Sequence, residues 1–138
     1  MTKSFILDCS ISMSWCFEDE FDEYAQKVLN SLKLNTALVP SLWVLEVTNV
    51  LLMAEKRNRL KSADSTRFLE LLNSLPIYAA DSIFSSSEII NVARNYKLTS
   101  YDAIYLLLAM HEGQAVATKD KELSNACLEN GVHIFQPL

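Results

Sequence analysis

Glycine is almost missing from this chain, with two residues in 138. A phosphate-cradling G-x-G-x-x-G turn needs three in six positions and is therefore excluded. Cysteine is scarce and odd in number. Cys9, Cys16 and Cys127 form no C-x-x-C pair, which argues against a disulfide framework and for a reducing, cytoplasmic setting. Histidine is limited to His111 and His133, neither in a ligand-like pair with cysteine. Zinc is not expected, and both imidazoles read as structural. The longest apolar stretches, 42–54 and 103–110, are too short to span a membrane, and the first contains Glu46. The opening "MTKSFILDCS" offers only a three-residue apolar run before Asp8, too short for a secretory signal. Positive charge is also short, and the net charge of −5 gives no overall attraction for nucleic acid. An enzyme acting on nucleic acid would need a local basic strip, a bound cation, or both. No repeat, linker or low-complexity tract interrupts the chain, so residues 1–138 read as a single domain with one core.

What remains is an alternation of short apolar runs and helical patterns. Strands are predicted at 4–8, 37–40, 77–80, 115–118 and 132–135. About seven helices are predicted: a short one within 11–20, then 22–34, 41–60, 62–75, 85–98, 99–113 and 120–131. Ser41 is the expected N-cap of the third, Gly113 and Gly131 close the last two, and Pro76 ends the fourth. Interleaved strands and helices indicate an α/β domain with a mostly parallel sheet covered on both faces.

In such sheets ligands bind beyond the carboxyl ends of the strands, where strand order reverses. Asp8 follows "FIL", and Thr118 and Asp120 follow "AVA". If those two strands are neighbours at the reversal, the two carboxylates meet. Two helix-borne acids can join them. Glu46 is the lone charge between Leu42 and Ala54, with Asn49 on the same polar stripe, and Asp102 lies in the first turn of "TSYDAIYLLLAM". Each acid also has a plainer explanation. Asp102 fits a capping position after Thr99, and Asp120 can cap the last helix. Asp81 reads as a turn residue, and Glu122 as a solvated one. Glu46 is hardest to explain away, because a carboxylate amid so many apolar neighbours is rarely a solvated one.

Convergence of four acids would carry a cost. Two like charges ~4 Å apart repel by about 4 kcal/mol at an effective dielectric near 20. A cluster of four needs cations, and Mg²⁺ or Mn²⁺ suits oxygen ligands. With neither a Ser-His-Asp order nor a reactive Cys-His pair, hydrolysis by metal-activated water is the chemistry these residues allow.

The stretches "FILDCS", "PSLWVLEVTNVLL", "LTSYDAIYLLLA", "AVATKDKEL" and "GVHIF" together resemble, in order and over essentially the whole chain, PIN-domain ribonucleases of the VapC toxin type. The resemblance implies a three-layer α/β/α sandwich around a parallel five-stranded sheet. It implies a Mg²⁺- or Mn²⁺-dependent endoribonuclease that forms homodimers and is inhibited by a cognate antitoxin. Carried over by position, Asp8, Glu46, Asp102 and Asp120 match the acidic, metal-holding quartet. Ser10 and Thr118 match its flanking hydroxyls, and Asn49 a nearby polar residue. Cys9 stands where a small alanine is commoner.

"EKRNRLK" brings Lys56, Arg57, Arg59 and Lys61 together as a candidate phosphate-gripping strip, although a solvated helix end explains it as well. Arg94 and Lys97 are further candidates. The helix at 42–54 is apolar around most of its circumference, which asks for burial on more sides than one core supplies and points to a second copy or an antitoxin. Trp15 and Phe17 read as core aromatics, with exposure the alternative. Two other functions compete. One is a non-catalytic module that binds RNA or a partner. The other is phosphotransfer on Asp8, against which Ser10 stands where a second acid would be needed.

Overall fold

Phe5, Ile6 and Leu7 are wholly buried, so successive side chains of one strand are covered on both of its faces, as in a sheet sandwiched by helices. The computed structural model describes residues 3–137. Strands β1 (Ser4–Leu7), β2 (Thr36–Val39), β3 (Ile77–Ala79) and β4 (Val116–Ala117) form one sheet in the order β3-β2-β1-β4. Every pairing is parallel, with Phe5 opposite Ala37, Leu38 opposite Tyr78 and Leu7 opposite Ala117.

The sheet has four strands rather than the expected five. Residues 132–135 contribute one bridge, Ile134 to Val116. It is made by Val116 N–H donating to the His133 carbonyl (2.9 Å) and Phe135 N–H donating to the Val116 carbonyl (2.8 Å). The partner strand β4 has only two residues to pair with, and Pro137 offers no N–H to extend a ladder. Phe135 still belongs to the core, stacked on Phe5 at 4.0 Å between ring centroids.

Among the described residues, α1 (Cys9–Ser14), α2 (Glu23–Ser31), α3 (Leu42–Lys56), α4 (Ser62–Ser74), α5 (Ser86–Tyr96) and α6 (Ser100–Glu112) connect the strands, and α7 (Lys121–Glu129) follows β4. A single 3-10 turn, Glu18–Glu20, follows α1. Helix α1 packs on α2 and α3, while α6 packs on α5, α7, β1 and β4. For the order β3-β2-β1-β4 the right-handed crossover rule assigns the connections β1→β2 and β2→β3 to one face and β3→β4 to the other. Gly113 and Gly131 do end their helices, at φ of +64° and +71°, a conformation open to glycine without a Cβ penalty. Ser41 does not cap α3. Its backbone is already helical and its side chain accepts nothing, because the turn begins one residue earlier, where Trp43 N–H donates to the Pro40 carbonyl. Trp15 and Phe17 serve the interior. Phe17 is buried, and the indole N–H of half-buried Trp15 donates to the Ala25 carbonyl.

Candidate active site

The order of the sheet reverses between β1 and β4, the two strands that deliver Asp8 and the Thr118–Asp120 turn. Their pairing carries past the strand ends, since Asp8 N–H donates to the Ala117 carbonyl. The first acid is thereby fixed beside the last turn.

Asp8 is 4 % exposed and heads α1 without capping it through its side chain. Instead it accepts from two hydroxyls, Ser10 at 2.6 Å and Thr118 at 2.7 Å, both on Oδ2. Oδ1 receives no side-chain donor among the described residues. The hydroxyls are themselves held in place. Ser10 Oγ accepts from Lys119 N–H and Thr118 Oγ1 from Asp120 N–H. Burial pushes the Asp8 carboxyl above its ordinary range. The two hydroxyls oppose that push without cancelling it, and the Asp120 charge adds to it.

The other three acids reach the same place from three helices. Asp102 sits in the first turn of α6, whose cap is Thr99, Oγ1 accepting from Asp102 N–H. The Asp102 carboxylate is free of capping and, among the described residues, has no hydrogen-bond donor of its own. Burial, then the charges of Asp120, Asp8, Glu46 and Glu122, raise its pKa to about 7. Asp120 is a helix cap that also lies with the other acids. Oδ1 caps α7 by accepting from Leu123 N–H at 2.8 Å, and the residue lines the cleft that holds the other acids. Glu46 projects from α3 to meet the Tyr105 hydroxyl, which donates to Oε1 at 2.7 Å. Desolvation raises the Glu46 pKa despite that bond.

All four acids line one open cleft of about 460 Å³, the convergence that the strand-end argument required. They do not stand as a finished ligand cage, since no group of three acidic, imidazole or thiol side chains among the described residues is placed to hold a metal ion. The chemistry of the donors nonetheless fits a hard divalent cation. Each carboxylate keeps an oxygen unused by side-chain or capping bonds, and the acids raise one another's proton affinity, the mark of a site short of positive charge.

Asn49 is exposed and does not line the acidic cleft itself. It lines an adjoining groove that shares Cys9, Glu46 and Val50 with that cleft. Lys56, Arg57, Arg59 and Lys61 are exposed, but only Arg59 lines the acidic cleft. Its guanidinium is occupied, bonded to Asp19 and Glu20 and stacked over Phe17 at 4.3 Å. Glu122 is exposed at the start of α7 and acts on Asp102 only through its charge. His111 and His133 are exposed and outside the cleft. Cys9 lines the cleft with its thiol held protonated by burial and the charges of Glu46 and Asp8.

Two site residues escaped the sequence reading. Tyr105 carried a usable signal, because it follows Asp102 by three positions and so shares its helix face. Lys119 carried none, as a lysine in a turn is ordinary. The residue lines the cleft, and its ammonium donates to buried Ser14 Oγ at 2.8 Å.

A family model described as PIN domain matches residues 5–128 of the chain. No curated protein matches it. The crystal structure of PAE2754 from Pyrobaculum aerophilum is similar in fold, with a TM-score of 0.69, 23 % sequence identity, and coverage of 91 % of this chain and 87 % of that one.

Proposed function

The chain belongs to the PIN-domain family, generally a nuclease family, and on that premise we propose that it is a Mg²⁺- or Mn²⁺-dependent endoribonuclease, the toxin of a VapC-type toxin–antitoxin pair. The observation that carries this reading is the meeting of Asp8, Glu46, Asp102 and Asp120 in one cleft at the reversal of strand order.

The carboxylates divide the work by how firmly each is held. Asp8 is the fixed point, with Oδ2 locked by two hydroxyls and Oδ1 without a side-chain donor among the described residues. Glu46 is oriented by Tyr105, and Asp120 by its own helix cap. Asp102 has no hydrogen-bond partner for its carboxylate among the described residues, and burial and the neighbouring acids raise its pKa to about 7, which a cation would offset. Asp8, Glu46, Asp102 and Asp120 would hold a divalent ion, which when bound would supply charge stabilisation for the phosphodiester and a more acidic water at neutral pH. The protein's part is to orient that water with whichever carboxylate oxygen stays unliganded, and to hold the RNA backbone in line. Lys56, Arg57 and Lys61, without an ion pair among the described residues, form the strip that grips backbone phosphates beside an otherwise repulsive site.

The partners of the reading are an RNA substrate, a cognate antitoxin and a second copy of the chain. Supporting a protein interface, Val44, Leu45 and Leu52 stand 51 %, 71 % and 59 % exposed on the outer face of α3, more apolar surface than one helix ordinarily leaves to water.

A second reading, a non-catalytic PIN module, is favoured by the absence of a ready-made three-ligand group among the described residues. One experiment separates the two. Single-stranded RNA is incubated with the protein in magnesium, in manganese and in EDTA, beside the Asp8→Asn variant. Cleavage that needs the metal and is lost in the variant supports the nuclease. RNA binding without cleavage under every condition supports the module.

A further inference from the structure

We propose that Lys119 is a substrate-binding residue, holding an RNA phosphate next to the one under attack. This rests on the nuclease reading and adds to it a contact that neither the sequence pattern nor the acidic quartet contains.

Two cations line the acidic cleft, Arg59 and Lys119. Arg59 is already spent on Asp19 and Glu20. Lys119 makes no ion pair within 4.0 Å among the described residues, although its neighbour Asp120 and the carboxylates of Asp8, Glu20, Glu46 and Asp102 share the cleft. Its ammonium rests on a neutral hydroxyl, Ser14 Oγ. That single bond uses one of three donors, and the residue is otherwise exposed. Ser14 in turn is buried, so the hydroxyl that aims the ammonium is itself fixed.

The placement decides which phosphate is meant. Lys119 N–H is anchored on Ser10, beside Asp8, while its Nζ reaches Ser14 four residues along α1. Ser10 and Ser14 are four residues apart on α1, a rise of about 6 Å, so the ammonium is held about one turn along the helix from the hydroxyl that bonds Asp8. That offset assigns it to a flanking phosphate rather than the reacting one. A positive group there offsets the repulsion between an acidic cleft and a polyanion, and being a point charge it serves any base sequence.

The plain alternative is a structural clasp, with Lys119 tying the β4–α7 turn to α1. The test distinguishes them by a readout that a clasp would leave alone. Binding of a fluorescent single-stranded RNA is measured across a salt series in the Asp8→Asn background, with Lys119 intact, Lys119→Met and Lys119→Arg. Loss of one phosphate contact should flatten the slope of log K against log salt by about 0.7, and arginine should restore it. In the otherwise unaltered protein, Lys119→Met should raise KM about tenfold with little change in kcat. An unchanged slope and KM, with or without a lowered melting temperature, would overturn the inference and leave a clasp. Because the binding arm needs no cleavage, it judges Lys119 even if the protein proves to cut no RNA, a result that would count against the nuclease reading alone.

Discussion

Asp102 is the residue whose surroundings ask most of it. It has no hydrogen-bond donor among the described residues, yet burial and four nearby acids raise its pKa to about 7. An unfolded aspartate titrates near 3.9. Between those values the native state holds a proton the unfolded state has released, so stability falls as pH rises. The contribution is complete below about pH 4 and gone above about pH 7. Asp8 and Glu46 are shifted in the same direction. Metal-free protein should therefore melt at progressively lower temperature from pH 4 to pH 7, and Asp102→Asn should make that decline shallower in a calorimetric pH series. Tyr105 poses a second question at this scale. Its hydroxyl is buried against Glu46, and Tyr105→Phe keeps the ring while removing the donor. Loss of such an orienting partner typically costs about 10- to 100-fold in metal affinity or activity, to be read from metal titrations of initial rate. A variant as active as the parent at every metal concentration would reduce Tyr105 to packing. The sequence displayed the four acids clearly, since charge stands out in apolar surroundings. It hid Lys119, because a lysine in a turn looks the same whether it serves solvent or substrate.

Helix α3 shows how much an element's apolar pattern can and cannot tell. Its near-continuous hydrophobicity predicted a helix with more than one buried side. The structure buries Trp43, Val47, Leu51 and Ala54 and leaves Val44, Leu45 and Leu52 outside. That outer stripe belongs to a partner in our reading. Leu45→Glu with Leu52→Glu should convert a dimer into a monomer by light scattering, with the fold retained by circular dichroism. A parent that is already monomeric at high concentration would remove the second copy from the account. At the C-terminal end of α3, charge reversal of Lys56 and Arg57 should weaken RNA binding and flatten its salt dependence. Unchanged affinity would return both to solvent. Helices α2 to α7 were legible because each is long enough for a 3.6-residue period to declare itself; α1, expected within 11–20, instead spans Cys9–Ser14 and is under two turns, too short to show a period. The segment 132–135 was not, because four apolar residues look alike whether they form a ladder or a single bridge, and the two-residue length of β4 decides between them.

At the level of the whole molecule, the site is a product of topology. Asp8, Glu46, Asp102 and Asp120 are separated by up to 112 positions in the chain, and they share a cleft because strand order reverses between β1 and β4. What no pattern in the sequence could supply is the spacing of their oxygens, which depends on rotamers set by Ser10, Thr118 and Tyr105. The central claim is that these four side chains, brought together by the fold, hold a divalent cation in common. Thermal unfolding with and without millimolar Mg²⁺ or Mn²⁺, at pH 7 and fixed ionic strength, tests it most directly, because a ligand of the native state must raise the melting temperature. The account predicts a clear upward shift in the parent protein that is lost in Asp8→Asn. No shift in the parent, or an equal shift in both proteins, would contradict it.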